Sequence, residues 1–78
     1  MDNYNHNKAD ELALALLYLN AFEDEFLTRS WKNISWDIMD RLHEKDLIHD
    51  PKGKSKSISF TPEGLEKAKE LFEKLLSE

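Results

Sequence analysis

The sequence predicts a mainly α domain with a small β-hairpin, in the order helix, short connector, helix, two-stranded hairpin, C-terminal helix. Three observations predict it. Apolar residues recur at helical spacing at both ends of the chain and once in the middle. The run Asp50-Pro51-Lys52-Gly53 is a strong turn signal, proline presetting φ and glycine admitting positive φ. After it, Ile58 and Phe60 alternate with Ser57 and Ser59, the period of a strand with one buried face. With 78 residues there is room for one domain, 1–78, in which residues 1–7 read as a flexible N-terminal arm.

The first helix is expected over Lys8 to Glu25. Asn7 suits the N-cap, and Asp10 and Glu11 suit the positive end of the dipole. Its apolar content exceeds one face. Leu12, Leu16 and Leu19 with Ala15 and Phe22 form one stripe; Leu14, Leu17, Tyr18 and Ala21 form another. A helix apolar nearly all round is buried on more than one side. The second stripe, Leu14, Leu17, Tyr18 and Ala21, is therefore expected to form the interface of a symmetric homodimer. The other way to cover it is for the N-terminal arm or the Phe26-Leu27 segment to fold back. Glu23-Asp24-Glu25 reads as a solvated acidic end that opposes the helix dipole.

Residues 26–34 are expected to be a connector, with or without one short helical turn, anchored by Phe26, Leu27, Trp31 and Ile34. The second helix begins near Ser35, with Ser35 or Asn33 as its N-cap, and ends at about Asp46, with Trp36, Ile38, Met39 and Leu42 on its apolar face. Leu47-Ile48-His49 and Ser55 to Phe60 form the two strands of the hairpin. Thr61-Pro62 opens the last helix as N-cap and N1, followed by Leu65, Ala68, Leu71, Phe72, Leu75 and Leu76 at amphipathic spacing.

Composition narrows the function classes. The absence of cysteine excludes disulfides and thiolate metal sites and fits a reducing cytoplasm. The first residues have neither the basic nor the apolar region of a signal peptide. The longest apolar stretch is far short of the roughly 20 residues that span a bilayer, so a cytoplasmic protein without a membrane partner is expected. The net charge of −5 disfavours strong non-specific nucleic-acid binding. The charge is unevenly placed, however: residues 29–56 hold seven Lys/Arg against five acids, whereas residues 1–28 hold one lysine against six.

Asp40-Arg41-Leu42-His43-Glu44-Lys45-Asp46-Leu47-Ile48, a Lys/Gly turn, and Ile58-Ser59-Phe60-Thr61-Pro62-Glu63-Gly64-Leu65 together resemble the second half of winged-helix transcription regulators. The regulators meant are those of the multiple-antibiotic-resistance and phenolic-acid-repressor types. The whole chain also resembles a small uncharacterised bacterial family with winged-helix-like members. The first resemblance implies that the second helix is a recognition helix and the hairpin a wing. Three features depart from it: residues 26–34 leave little room for the helix that normally precedes, the usual glycine after the recognition helix is Asp46, and the helix carries Asp37, Asp40 and Glu44 beside its cations.

The candidate nucleic-acid residues are Arg41 and Lys45 on that helix and Lys52, Lys54 and Lys56 on the wing. Two roles are open for the three wing lysines, phosphate contact or keeping a hairpin tip soluble. Trp31 and Trp36 are expected to pack at the helix junction, although exposed rings could stack on bases. His6, His43 and His49 match no metal-ligand spacing, and no cofactor is expected. Asp37, Asp40 and Glu44 share one helix face, which reads as solvated, and no nucleophile or phosphate-loop motif is present. The expected function is binding without catalysis. Either the domain is a nucleic-acid-binding regulator, or it is a protein-interaction or dimerisation module.

Overall fold

A computed structural model describes residues 3–25 and 27–78. Met1, Asp2 and Phe26 lie outside these residues, and with them the start of the expected arm and the expected Phe26 anchor. Three helices and a small antiparallel three-stranded sheet follow in the order α1 (His6–Leu19), β1 (Phe22–Asp24), β2 (Leu27–Trp31), α2 (Trp36–Glu44), β3 (Ser57–Ser59) and α3 (Pro62–Leu75). The expected layout of helix, connector, helix, hairpin and helix is present, with more sheet than expected.

The arm is shorter than expected. Asn5 is the N-cap of α1, its side chain accepting from the Lys8 N–H at 3.0 Å, so His6 and Asn7 are already helical. The helix stops at Leu19, not Glu25. Both the backbone N–H and the Nδ2 of Asn20 donate to the Leu16 carbonyl, closing the last turn. Phe22, Glu23 and Asp24 then pair with Arg29, Thr28 and Leu27. The expected connector is therefore one arm of a β-hairpin. Glu25 makes its turn possible with φ of 53°, a left-handed conformation that asparagine or glycine usually supplies. No such residue announces this turn in the sequence.

The sheet order is β1-β2-β3, with Ser30 opposite Ile58 and Trp31 opposite Ser57. The return strand of the expected hairpin thus finds its main partner in β2. The other expected arm, 47–49, contributes one bridge, Ile48 to Phe60, and a bond from the His49 N–H to the Ser59 carbonyl at 3.0 Å. The wing is a loop from Asp50 to Lys56 that leaves this sheet. Its turn is held by the Asp50 carboxylate, which accepts from the Lys52 N–H at 2.9 Å. Gly53 uses no positive φ.

The caps of α2 and α3 are those expected. Ser35 Oγ accepts from Ile38 N–H, and Thr61 Oγ1 accepts from Gly64 N–H at 2.9 Å. The C-terminus of α2 closes as a Schellman motif: Leu47 N–H donates to the Leu42 carbonyl and Asp46 N–H to the His43 carbonyl. Asp46 takes the left-handed position, φ 60°. Leu14, Leu17, Met39, Leu42, Ile48, Ile58, Phe60, Ala68 and Leu71 form one core between the helices and the inner face of the sheet.

Candidate interaction surfaces

The second stripe of α1 lies inside, while the first divides: Ala15 is in the core, Phe22 lies in β1, and its three leucines face solvent. Leu14 and Leu17 are fully buried in the core of the single chain, with Tyr18 and Ala21 packed against it. The interface expected there is corrected: α3, α2 and β2 already cover these side chains. The leucines left in solvent are those of the first stripe. Leu12, Leu16 and Leu19 are 46%, 42% and 56% exposed, and their spacing places them on one face of the helix.

Arg41 and Lys45 are also placed differently from their expected role. Asp10 of α1 is buried, and both cations of α2 converge on it. Arg41 Nε and Nη2 donate to the carboxylate at 2.8–3.0 Å, and Lys45 Nζ donates at 3.0 Å. Tyr4 joins from the N-terminal side, its hydroxyl accepting from Arg41 Nη2 at 3.1 Å and its ring lying under the guanidinium. Burial alone would push the Asp10 carboxyl up. The hydrogen bonds and charges of Arg41 and Lys45 outweigh it and hold the group below its ordinary value of 3.8. Arg41 is correspondingly held protonated, first by Asp10 and then by Tyr4. These cations tie α2 to α1 and are not free for phosphates. Asp37 and Glu44 remain exposed on the same helix.

The wing keeps its lysines in solvent: Lys52, Lys54 and Lys56 are all exposed. Lys32 approaches them from the end of β2. Its N–H donates to the Lys56 carbonyl at 2.9 Å and its Nζ to the Gly53 carbonyl at 3.1 Å. Arg29 lies beside them on the sheet, donating to Ser55 Oγ and Ser57 Oγ. Neither tryptophan is packed at the helix junction as expected. Trp31 is 55% exposed and Trp36 53%. Each has one neighbour of note: Phe22 against the Trp31 ring at 5.0 Å, and Lys32 Nζ over the Trp36 ring at 5.6 Å.

His43 Nδ1 lies 3.2 Å from the Ile48 carbonyl, His6 stacks on Tyr4, and His49 is exposed. Among the described residues no three metal-ligating side chains gather. No helix among them is long and apolar enough to cross a membrane. A groove of about 600 Å³ runs between the end of α1, β1 and the start of α3, lined by Tyr18, Phe22, Thr28, Pro62 and Leu65 and rimmed by Glu23, Glu66 and Lys69. Sequence reasoning missed Asp10 as a buried ion-pair centre. The signal available was an acid at i−4 from Leu14, on the face that turned out to be core.

Comparison with known proteins gives a family and a relative. Residues 5–78 match the family described as "Domain of unknown function (DUF6429)". The chain is 44% identical over 71 residues to "Uncharacterized protein y4hR" of Sinorhizobium fredii (strain NBRC 101917 / NGR234), covering 91% of this chain and 92% of that protein. No solved structure matches the chain.

Proposed function

This chain belongs to the family described as Domain of unknown function (DUF6429), and we propose that it acts as a protein-interaction module that pairs with a second copy of itself through the outward face of α1. One observation carries this reading: Leu12, Leu16 and Leu19 stand about half exposed in a row, on a helix whose other side is already in the core. A soluble domain seldom leaves such a contiguous apolar strip in water unless something covers it. An antiparallel two-fold pairing centred near Leu16 sets Leu12 of each copy against Leu19 of the other.

The duplex-reading regulator is the weaker alternative. A recognition helix needs free cations, and Arg41 of α2 and Lys45 at its C-cap are engaged with Asp10 while Asp37 and Glu44 face solvent. The test is the solution mass. Light scattering across a concentration series is expected to rise from 9.2 kDa toward twice that value. Leu16→Lys is expected to hold it at the monomer mass with an unchanged circular dichroism spectrum. A wild-type mass that stays at 9.2 kDa up to millimolar concentration would refute the pairing.

A further inference from the structure

The half of the chain opposite in charge to α1 carries a second surface. Residues 29–32 and 56–59 run side by side in the β2–β3 register, and the Lys32 side chain ties this strip to the wing at Gly53. Five cations lie on the strip and the wing: Arg29, Lys32, Lys52, Lys54 and Lys56. Among the described residues, the only ion pairs are those at Asp10, so none of the five is neutralised by a carboxylate contact. Asp50 accepts from a backbone N–H of its own turn. Asp37 follows Trp36 in the chain.

Trp31 stands on this strip and Trp36 lies next to it under the Lys32 ammonium, each more than half exposed. Tryptophan is on average a highly buried residue, because its ring offers so much apolar area. Here the rings are supported from one side and open on the other. Phe22 braces Trp31, and the Lys32 ammonium sits over Trp36. Unneutralised lysines around open aromatic faces call for a partner that presents negative charges and flat apolar rings together. An acidic peptide supplies the charges without the rings. Duplex DNA supplies charges but keeps its bases stacked inside. An unpaired nucleic-acid strand supplies both.

We infer that the face formed by β2, the turn after it and the lysine wing binds single-stranded nucleic acid, the lysines meeting phosphates and Trp31 and Trp36 stacking on bases. Because both tryptophans lie on the face, their fluorescence reports on it directly. Titration at low salt with an oligothymidylate of about 12 nucleotides, and with the corresponding oligouridylate, is expected to quench the emission. The affinity should fall as salt rises. Changing Lys52, Lys54 and Lys56 together to serine should flatten the slope of log K against log[salt] by about 2, since each lost phosphate contact removes about 0.7 on a single strand. Trp36→Ala should weaken binding about tenfold with the salt slope retained. Quenching by either strand supports the inference. No quenching by both strands at low salt overturns it, as does binding that neither variant alters. Equal or tighter binding of a duplex of the same length overturns the single-strand assignment.

Discussion

Gly64 is where one hydrogen atom in place of a methyl decides the packing. It lies in the first turn of α3, directly over the backbone of Leu47. A Cβ built there would stand 1.6 Å from the Leu47 carbonyl oxygen and 2.4 Å from its carbon. Both are backbone atoms, fixed by the Schellman closure of α2 and by Thr61, whose N–H donates to that same carbonyl oxygen. Gly64→Ala should therefore force α3 away from the end of α2 and cost about 3 kcal/mol, read as a lower denaturant midpoint. Glycine inside an amphipathic helix is otherwise unfavourable by about 1 kcal/mol, so its presence among strong helix formers is a sign of close approach. Asp46 is the opposite case. Its φ of 60° suits glycine better than any side chain, and the hydrogen bonds it makes come from its backbone, the N–H donating to the His43 carbonyl and the carbonyl accepting from Thr61 Oγ1. Asp46→Gly should raise stability by about 0.5–1 kcal/mol at an unchanged denaturant slope.

Between elements, the strongest polar tie is the buried Asp10 carboxylate that joins α1 to both cations of α2. Since its folded-state value lies below the ordinary 3.8, its stabilisation is complete above about pH 4 and disappears as pH falls through the folded value. Acid unfolding of the wild type should accordingly steepen below about pH 4. Asp10→Asn removes the charge and should cost about 2–3 kcal/mol at neutral pH, while making the acid limb shallower. A pH series of thermal melts on the two proteins checks both signs together. At the same scale, β1 and β2 show what local patterning misses. Phe22 to Trp31 has no turn residue at its tip, and Glu23, Asp24 and Glu25 have low strand propensity. Pairing with β3 brings this hairpin into the sheet, a long-range effect that periodicity over a short window does not contain.

At the scale of the whole molecule, the two sides of α1 make a paired experiment. Leu17 is in the core and Leu16 is not. Leu17→Glu should unfold the monomer, because it buries a carboxylate without a partner. Leu16→Lys should change only the solution mass. A finding that both variants unfold alike would show Leu16 to be part of the folded core. The charge layout divides the molecule in the same way. The acidic N-terminal third carries the leucine face, and the basic middle third carries the wing and the tryptophans. The proposed self-pairing and the proposed strand binding therefore draw on different segments of the chain.

Residues close together in the chain suffice to specify the three helices, the caps of α2 and α3, the turn at Asp50-Pro51 and the inward placing of Ile58 and Phe60, whereas Ser57 and Ser59, expected on an open face, are buried too. Each depends on residues within a turn or two of one another, through periodicity, side-chain capping and φ preference. The left-handed Asp46 was legible for the same reason, as the residue standing where a glycine is usual. Only the tertiary structure decided which leucine stripe of α1 lies inside, that Arg41 and Lys45 serve Asp10, that β3 pairs with β2, and that Trp31 and Trp36 face water. Those outcomes depend on what packs across the chain: two equally apolar stripes look alike in sequence until α3 covers one, and a cation reads as free until a buried carboxylate from another helix claims it.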